Sequence, residues 1–286
     1  MIKVIQQPDE LRSQLDHVRH QQLRIGFVPT MGNLHAGHIA LVKRAQTECD
    51  YVVVSIFVNP LQFNNPNDLA NYPRTLEQDL TALTAAGANL AFVPSPETLY
   101  PNGLAEETKV QVPGLSTILE GALRPGHFDG VSTIVCKLFN LVQPSVAIFG
   151  EKDFQQLALI RKMTQDLLLP IQIIGLATIR ETDGLAMSSR NSRLSPEQRQ
   201  VAPQLAKQMY TLAEQLSYGN QQSLSIQAKQ QLEQHGFICD GIDIVDADTL
   251  APLTPHSQRA VILLAAFLGE VRLIDNCVIA LKQIVN

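Results

Sequence analysis

The sequence predicts an α/β fold, with a parallel-sheet domain over residues 1–176 and a smaller α+β domain over residues 177–286. Strand-like and helix-like segments alternate through the first half of the chain. Near residue 176 this alternation ends, and helical stretches followed by strand-like runs take its place. Strict alternation favours parallel strands joined by right-handed helical crossovers, with ligands at the carboxyl ends of the strands.

Short apolar runs indicate the strands of the first domain, and amphipathic stretches indicate its helices. The run YVVVSIF at 51–57 is apolar on both faces, as expected of a strand buried between two helical layers. Gly87 follows one helical stretch where a left-handed cap is expected. The predicted strands are residues 23–28, 51–57, 90–93, 146–149 and 171–174, and the predicted helices are residues 37–48, 74–86, 131–141 and 154–168.

The second domain begins after a polar stretch. Ser195 is a candidate helix cap, because Pro196 follows it and proline suits the first helical position. The predicted helices are residues 197–217 and 224–235, and the predicted strands are residues 238–245, 260–268 and 271–274. This order of elements predicts an α+β unit.

Composition and charge exclude several classes of function. The formal net charge is −5, and no stripe of Lys and Arg stands out, so a nucleic-acid partner is not expected. The apolar run at 260–268 is about half as long as a membrane span, and the N-terminal segment turns polar too soon for a signal peptide. We therefore expect a cytoplasmic protein with small-molecule partners and no membrane.

The cysteines do not indicate redox or metal chemistry. Cys49, Cys136, Cys239 and Cys277 are far apart and include no C-x-x-C pair. Neither a disulfide framework nor a zinc site is predicted. Cys136 lies in an apolar helical pattern, which favours a core residue over a nucleophile.

The most informative segment is PTMGNLHAGH at 29–38. It separates an apolar run from an amphipathic one, which predicts a turn from a strand into a helix. His35 and His38 are three positions apart, so a helical first turn places them on one face. The free N–H groups of a helix start favour an anion such as phosphate. The commoner phosphate loops, with their Gly-Lys or repeated-glycine patterns, are absent from the sequence.

Three other polar segments lie where ligands bind in this architecture: residues 59–63 (NPLQF), 150–156 (GEKDFQQ) and 187–191 (MSSRN). Taken singly, each has a plainer interpretation. His35 could be a solvated cap, Gln62 a turn residue, and Lys152 part of a solvated charge run. The segment at 188–190 could be an ordinary polar loop. Together they favour a site for a polyphosphate and a small polar substrate.

Longer strings extend these segments over nearly the whole chain: PTMGNLHAGH at 29–38, SIFVNPLQF at 55–63, YPRT at 72–75, RPGHFDGV at 124–131, KLFNLVQP at 137–144, FGEKDFQQLALIRKM at 149–163, DGLAMSSRN at 183–191 and RAVILLAAFLGEVRLIDN at 259–276. They resemble the pantothenate synthetase (pantoate–β-alanine ligase) family of the nucleotidyltransferase superfamily. No motif position departs clearly from the family pattern. The resemblance implies a Rossmann-like nucleotide-binding domain and a smaller C-terminal lid domain.

The resemblance also implies a reaction in two steps. The pantoate carboxylate attacks the α-phosphorus of ATP, which gives pantoyl adenylate and pyrophosphate. The β-alanine amine then attacks the acyl carbon, which gives pantothenate and AMP. ATP with Mg²⁺, pantoate and β-alanine are the expected ligands, and a homodimer is expected as well.

The same resemblance implies roles for individual residues. The expected catalytic residues are His35, His38, Lys152, Ser188, Ser189 and Arg190, with His38 as the proton donor. The expected ATP-binding residues are Met31, Gly32, Asn33, Leu34, His35, Ala36, Gly37, His38, Gly150, Glu151, Lys152, Asp153, Ile179, Met187, Ser188, Ser189 and Arg190. For pantoate they are Gln62, Gln156 and Asn59; Gln62 is also expected to contact β-alanine. Asp79 is a candidate for the Mg²⁺ shell, and Arg124 and His127 are further pocket candidates.

Two alternatives stay open from the residues alone. The histidine-bearing turn would also serve a nucleotidyltransferase that joins a mononucleotide to ATP, and only the two glutamines and the long match favour the ligase. A non-catalytic nucleotide-binding or regulatory protein would need the nucleotide pocket but not both glutamines. A tRNA synthetase is not expected, because the chain is short and acidic.

Overall fold

The computed structural model describes residues 2–281. Met1 and residues 282–286, at the outer ends of the two predicted domains, lie outside the described residues. The chain divides into two units. One holds the chain up to Glu151 together with Gln155–Ala177, and the other holds Lys152–Phe154 and the chain from Thr178 onward.

The first unit is built on a parallel sheet, which confirms the predicted α/β class. In the described part of the chain its strand order is β1-β4-β3-β2-β5-β6, and every ladder is parallel. The central strands β2, β3 and β5 match the predicted runs within a few residues. The strands are β1 (Lys3–Ile5), β2 (Ile25–Thr30), β3 (Tyr51–Ile56), β4 (Leu90–Phe92), β5 (Val146–Gly150) and β6 (Gln172–Leu176).

Helices connect these strands, and some were not predicted. The strand β1 and the helix α1 were missed, although Leu11, Leu15 and Val18 are buried at helical spacing. Gly87 ends α4 with φ 78°, as predicted. The helices are α1 (Pro8–His20), α2 (Ala36–Glu48), α3 (Pro66–Ala70), α4 (Leu76–Ala86), α5 (Pro96–Leu99), α6 (Glu120–Leu123), α7 (His127–Val142) and α8 (Phe154–Asp166).

The two faces of this sheet carry separate apolar layers. Phe27 and Val53 pack with residues of α1, α7 and α8 on one face. Val28 and Val54, the next residues along β2 and β3, pack with residues of α2 and α4 on the other. Because side chains alternate along a strand, both faces are covered.

The second unit is α+β, as predicted. Its antiparallel sheet has the order β7-β8-β9 in the described chain. The single helix predicted for 197–217 is wrong, because a break at Ala202–Pro203 separates two helices and a proline interrupts a helix interior. Ser195 caps the first of them, as predicted. The elements are α9 (Pro196–Val201), α10 (Gln204–Gln215), α11 (Gln221–Gln234), β7 (Phe237–Asp246), β8 (Arg259–Leu268) and β9 (Val271–Ala280).

Among residues 2–281, none of the helices is both long and apolar enough to cross a membrane.

Candidate active site

Three predicted site segments follow neighbouring strands of the first unit. The strand β2 lies between β3 and β5, so the carboxyl ends of all three meet at one edge of the sheet. The turn into α2 leaves β2 there, residues 59–62 leave β3, and residues 150–156 begin at β5. This is the edge where open α/β sheets bind ligands.

The turn after β2 adopts a tight left-handed path. Gly32 has φ 83° and Asn33 has φ 50°. Asparagine tolerates this region better than most residues, and glycine adopts it freely. Thr30 fastens the base of the turn, since its hydroxyl donates to Ser55 O over 2.7 Å and accepts from Gly32 N over 3.3 Å.

Asp79 of α4 holds the same turn from outside. Its carboxylate accepts the backbone N–H of Asn33 over 2.9 Å and that of Leu34 over 2.7 Å. The Thr75 hydroxyl donates to it over 3.2 Å, and the side chain is only 2% exposed. These bonds make Asp79 an organiser of the turn. Its assignment to a Mg²⁺ shell stays a prediction.

His35 and His38 are brought together, as predicted. Their ring centroids are 4.1 Å apart. His35 caps α2 instead of belonging to its first turn, and its Nδ1 accepts from Gly37 N over 3.1 Å. His38 Nδ1 accepts from His35 N over 3.2 Å. Because each Nδ1 accepts a hydrogen, the neutral form of each ring carries its proton on Nε2.

Asn59 and Gln62 lie at the end of β3 and are both buried. Asn59 caps a short 3-10 helix, Pro60–Gln62. Its Nδ2 donates to Gln62 Oε1 over 3.1 Å and to Gly130 O over 3.1 Å. Gln62 Nε2 lies 3.3 Å from Met31 Sδ, so this helix contacts the turn after β2.

Residues at the start of α7 and just before it support the 3-10 helix. His127 Nδ1 lies 2.7 Å from Gln62 O, and an Arg124 guanidinium nitrogen lies 3.4 Å from the same oxygen. A Cβ at Gly130 would be 2.4 Å from Leu61 O, so only glycine fits there. Arg124 and His127 therefore position the backbone of Gln62. Gly130 was not singled out from the sequence, although it stands in the motif RPGHFDGV.

The two glutamines that begin α8 have different surroundings. Gln156, the predicted pantoate ligand, is partly exposed. Gln155 is buried, and its amide donates to Leu115 O and Ile118 O and accepts from Glu120 N. Gln155 thus holds the end of the long connection between α5 and α6. Its place in the sequence did not indicate this role. The preceding Gly150 ends β5, and Glu151 N donates to Leu176 O over 2.8 Å.

The remaining predicted residues belong to the second unit. Lys152 and Asp153 are partly buried, and Asn276 Nδ2 donates to Lys152 O over 2.7 Å. Ile179 and Met187 lie opposite each other, since Met187 N donates to Ile179 O over 3.0 Å. This bond continues the bridge between Arg180 and Ala186.

The segment at 188–190, expected as a loop, begins a 3-10 helix over Ser189–Arg193. Ser188 caps this helix, because its hydroxyl accepts from Arg190 N over 3.2 Å. Arg180, which bridges to Ala186 before this helix, donates two hydrogen bonds to the buried Asp275 of β9, over 2.6 and 2.9 Å. Hydroxyls, N–H groups and a guanidinium thus lie on one short helix, a set that suits phosphate oxygens.

A metal site built by the protein alone is not seen in the described residues. Across 2–281, no group of three or more His, Cys, Asp or Glu side chains could hold an ion. Magnesium is commonly held by substrate phosphates with only one or two carboxylates. The residues present are compatible with a metal that arrives on a nucleotide.

Comparison with known proteins gives a consistent result. A family model described as pantoate-beta-alanine ligase matches residues 3–278. A protein of Aeromonas hydrophila subsp. hydrophila named pantothenate synthetase is 59% identical over 282 residues, covering 98% of this chain and 99% of its own length. A namesake from Vibrio cholerae is 56% identical over 274 residues, covering 95% of this chain and 94% of its own length.

Solved structures agree with the fold. Pantothenate synthetase from Thermus thermophilus has a TM-score of 0.88 and 44% identity, covering 96% of this chain and 99% of that one. The pantoate-beta-alanine ligase of Francisella tularensis, solved with beta-gamma ATP and beta-alanine, has a TM-score of 0.82 and 36% identity, covering 97% of each chain. On the match over residues 3–278 and these full-length relatives, the chain belongs to the pantoate-beta-alanine ligase family.

Proposed function

We propose that the protein joins pantoate to β-alanine at the expense of ATP and forms pantothenate, AMP and pyrophosphate through a pantoyl adenylate. The observation that carries this function is the family match over residues 3–278. The beta-gamma ATP and beta-alanine in the Francisella structure support two of the three substrates. The buried glutamine beside the histidine-bearing turn supports a polar acid as the third.

Each step moves a defined group. A pantoate carboxylate oxygen attacks the α-phosphorus. The bond from the α-phosphorus to the α–β bridging oxygen breaks, and pyrophosphate leaves with its electron pair. The β-alanine amine then attacks the acyl carbon, and AMP leaves as the amine loses a proton. Neither step needs a covalent enzyme nucleophile. Charge stabilisation and orientation are therefore the main tasks of the protein.

The turn after β2 is proposed as the phosphate wall. His35 and His38 would donate from Nε2 to phosphate oxygens, because their Nδ1 atoms accept backbone hydrogens. His38 is proposed as the proton donor to the leaving group. The N–H groups of His35, Gly37 and His38 are already used in capping bonds, so the start of α2 contributes its positive dipole end to the same wall. Met31 to Gly37 supply the rest of this nucleotide contact.

Gln62 and Gln156 are proposed to bind pantoate, with Asn59 behind Gln62. Gln62 is also proposed to contact β-alanine. The buried amide of Gln62, fastened to Asn59, supports its part in this role. Gln156 lies in the first turn of α8, the helix that follows β5. Amides suit a hydroxy acid, because they can donate to a carboxylate or accept from a hydroxyl.

Residues of the second unit and the two residues that precede Lys152 are also proposed to bind ATP. Lys152 would offset phosphate charge, Asp153 would bind the ribose, and Ile179 would meet the adenine. Gly150 and Glu151, in the same segment as Lys152, would also contact ATP. The residues Met187, Ser188, Ser189 and Arg190 would bind phosphates. We propose residues 177–286 as a lid domain, which the family resemblance supports.

We further propose that ATP acts as its Mg²⁺ complex, that the protein is a homodimer, and that it works in the cytoplasm. The charge of the triphosphate supports the Mg²⁺ complex. Resemblance to the family supports the homodimer. The four free cysteines and the use of ATP support the cytoplasmic location. Mass measurement in solution tests the dimer.

A substrate-omission assay tests the function. The purified protein should release pyrophosphate from ATP and Mg²⁺ only when pantoate is present. It should release AMP and pantothenate only after β-alanine is added. A mononucleotide replacing pantoate tests the rival nucleotidyltransferase and should give no pyrophosphate. AMP release that does not depend on pantoate would contradict the proposal.

A further inference from the structure

A chain of three side chains ends at Gln62. The Tyr100 hydroxyl donates to Asn59 Oδ1 over 2.7 Å. Asn59 Nδ2 in turn donates to Gln62 Oε1 over 3.1 Å. Tyr100 is 4% exposed and Asn59 is 1% exposed. The chain of hydrogen bonds therefore connects the core of the first unit to the glutamine proposed to meet the acid.

The orientation of the Asn59 amide is fixed by partners that can act in only one way. Gly130 O can only accept, so it requires Nδ2 of Asn59, 3.1 Å away. Leu61 N can only donate, so it requires Oδ1, 3.4 Å away. With Oδ1 directed at Leu61 and Tyr100, the second hydrogen of Nδ2 is left for Gln62.

The same reasoning fixes Gln62. Because Asn59 offers it a hydrogen, Gln62 must turn Oε1 toward Asn59 and Nε2 away from it. Nε2 then lies 3.3 Å from Met31 Sδ, which is a weak acceptor. A ligand oxygen is a much better partner for this NH₂ group than a thioether is.

We propose that Tyr100 is a positioning residue that acts through Asn59 to hold the amide NH₂ of Gln62 toward the acid substrate. The subsite then selects an oxygen acceptor, a carboxylate or hydroxyl oxygen, and disfavours an ammonium group. Where Gln62 meets β-alanine, it does so through the β-alanine carboxylate. The identity of the acid as pantoate rests on the proposed function.

One feature keeps the Tyr100 hydroxyl a donor, and another holds its ring in place. Burial, with a contribution from the nearby Glu107, raises the pKa of the Tyr100 hydroxyl, so it stays protonated. Lys137 Nζ lies 4.7 Å from the centroid of the Tyr100 ring, close enough for a cation–π contact. Lys137 also donates to Leu99 O and Glu107, so the lysine is itself held in place.

Tyr100→Phe removes the hydroxyl and keeps the ring. We expect the KM for pantoate in pyrophosphate release to rise about five- to tenfold, the usual effect of one lost buried hydrogen bond. The KM for ATP and kcat should change by less than about twofold, because neither the phosphate wall nor the reacting atoms move. The matched control is Tyr51→Phe, at the other end of β3 from Asn59, which should leave all three constants unchanged.

A double-variant cycle separates positioning from general damage. If Tyr100 acts through Gln62, Tyr100→Phe should lower kcat/KM for pantoate in the wild type but hardly at all in a Gln62→Ala background. The pantoate-limited slope gives kcat/KM even where KM is too high to measure. Additive losses, or a fall in kcat with an unchanged KM, would overturn the proposal.

Asn59→Asp offers a second route to the same answer. It replaces the NH₂ that fixes Gln62 by an oxygen, so the KM for pantoate should rise at least as much as in Tyr100→Phe. An unchanged KM would overturn the proposal. Wild-type protein that releases no pyrophosphate with pantoate would instead overturn the proposed function, so the two failures are distinguishable.

Discussion

The carboxylate of Asp79 accepts the backbone N–H of Leu34 over 2.7 Å, across 45 positions of sequence. The neighbouring N–H of Asn33 donates to the same carboxylate. These bonds hold the left-handed turn at Gly32 and Asn33, and that turn sets where α2 begins. The position of His35 and His38 therefore depends on a carboxylate in another helix.

Asp79→Asn should weaken both stability and ATP binding. The amide leaves one acceptor oxygen where two N–H groups point, so we expect a loss of about 1–3 kcal/mol in the free energy of unfolding. The Kd for ATP should rise about tenfold as the turn loses its fixed shape. Denaturant unfolding and titration calorimetry measure the two. Asp166→Asn, in an exposed pair with Lys162, is the control; an equal effect there would contradict this assignment.

Gly130→Ala should destabilise the protein although it removes a glycine from a helix. Helix propensity alone would favour alanine by about 1 kcal/mol. The new Cβ would meet Leu61 O at 2.4 Å, so overpacking of about 1–3 kcal/mol should reverse the sign. Thermal unfolding gives the answer, with Gly150→Ala, where a Cβ meets nothing within 4 Å, as the stability control. A raised Tm for Gly130→Ala would show that α7 yields easily.

Lys152→Ala should mainly slow adenylation. A lysine that offsets phosphate charge acts on the attack at phosphorus, so we expect single-turnover pyrophosphate release to fall about a hundredfold. Rapid quench with labelled ATP measures it. Lys162→Ala, on the exposed side of α8, should leave the rate unchanged. Normal adenylation with slow amide formation would refute this role.

The segment at 188–190 should close over ATP, because glycine and small polar residues flank it near the domain boundary. We expect ATP to reduce tryptic cleavage after Arg190 and Arg193. Peptide mass mapping with and without ATP measures the protection. The His35→Ala, His38→Ala double variant is the control, because ATP should no longer protect it. Identical cleavage of the wild type in both conditions would argue against closure.

The four thiols should react slowly in the native protein. Burial raises the pKa of each of them above the ordinary value, and that of Cys277 rises to about 11. Near pH 8 they stay protonated, and the thiol is much less reactive than the thiolate. A colorimetric thiol reagent should therefore react slowly with the native protein and at once with all four cysteines in denaturant. Rapid modification of native protein would indicate a reactive cysteine.

Local patterns predicted much of the fold. The run at 51–57 gave β3 nearly to the residue, and Ser195 with Pro196 gave the start of α9. Pro203 shows the limit, because the amphipathic pattern continues across it and the helix does not. The helix α1 was missed because most of its residues are polar, so the helical spacing of Leu11, Leu15 and Val18 did not stand out.

The site was predictable as a set of segments but not as a set of bonds. His35 and His38 are close in sequence, so their contact could be foreseen. Asp79, Tyr100 and Gly130 act on residues that lie 41 to 71 positions away in the chain. Local sequence patterns cannot predict these long-range contacts, because the contacts depend on how the helices and loops pack around the sheet.

The strand β2 has a ladder on each side, with β3 and with β5, whereas β1 pairs over three residues with β4 at the edge of the sheet. Opening β2 requires both of its ladders to break, so its amides should exchange only in the larger unfolding events. The edge strand β1 can fray without these larger unfolding events. The two histidines thus follow one of the last parts of the first unit to open, and partial unfolding at the sheet edge leaves the proposed phosphate wall in place.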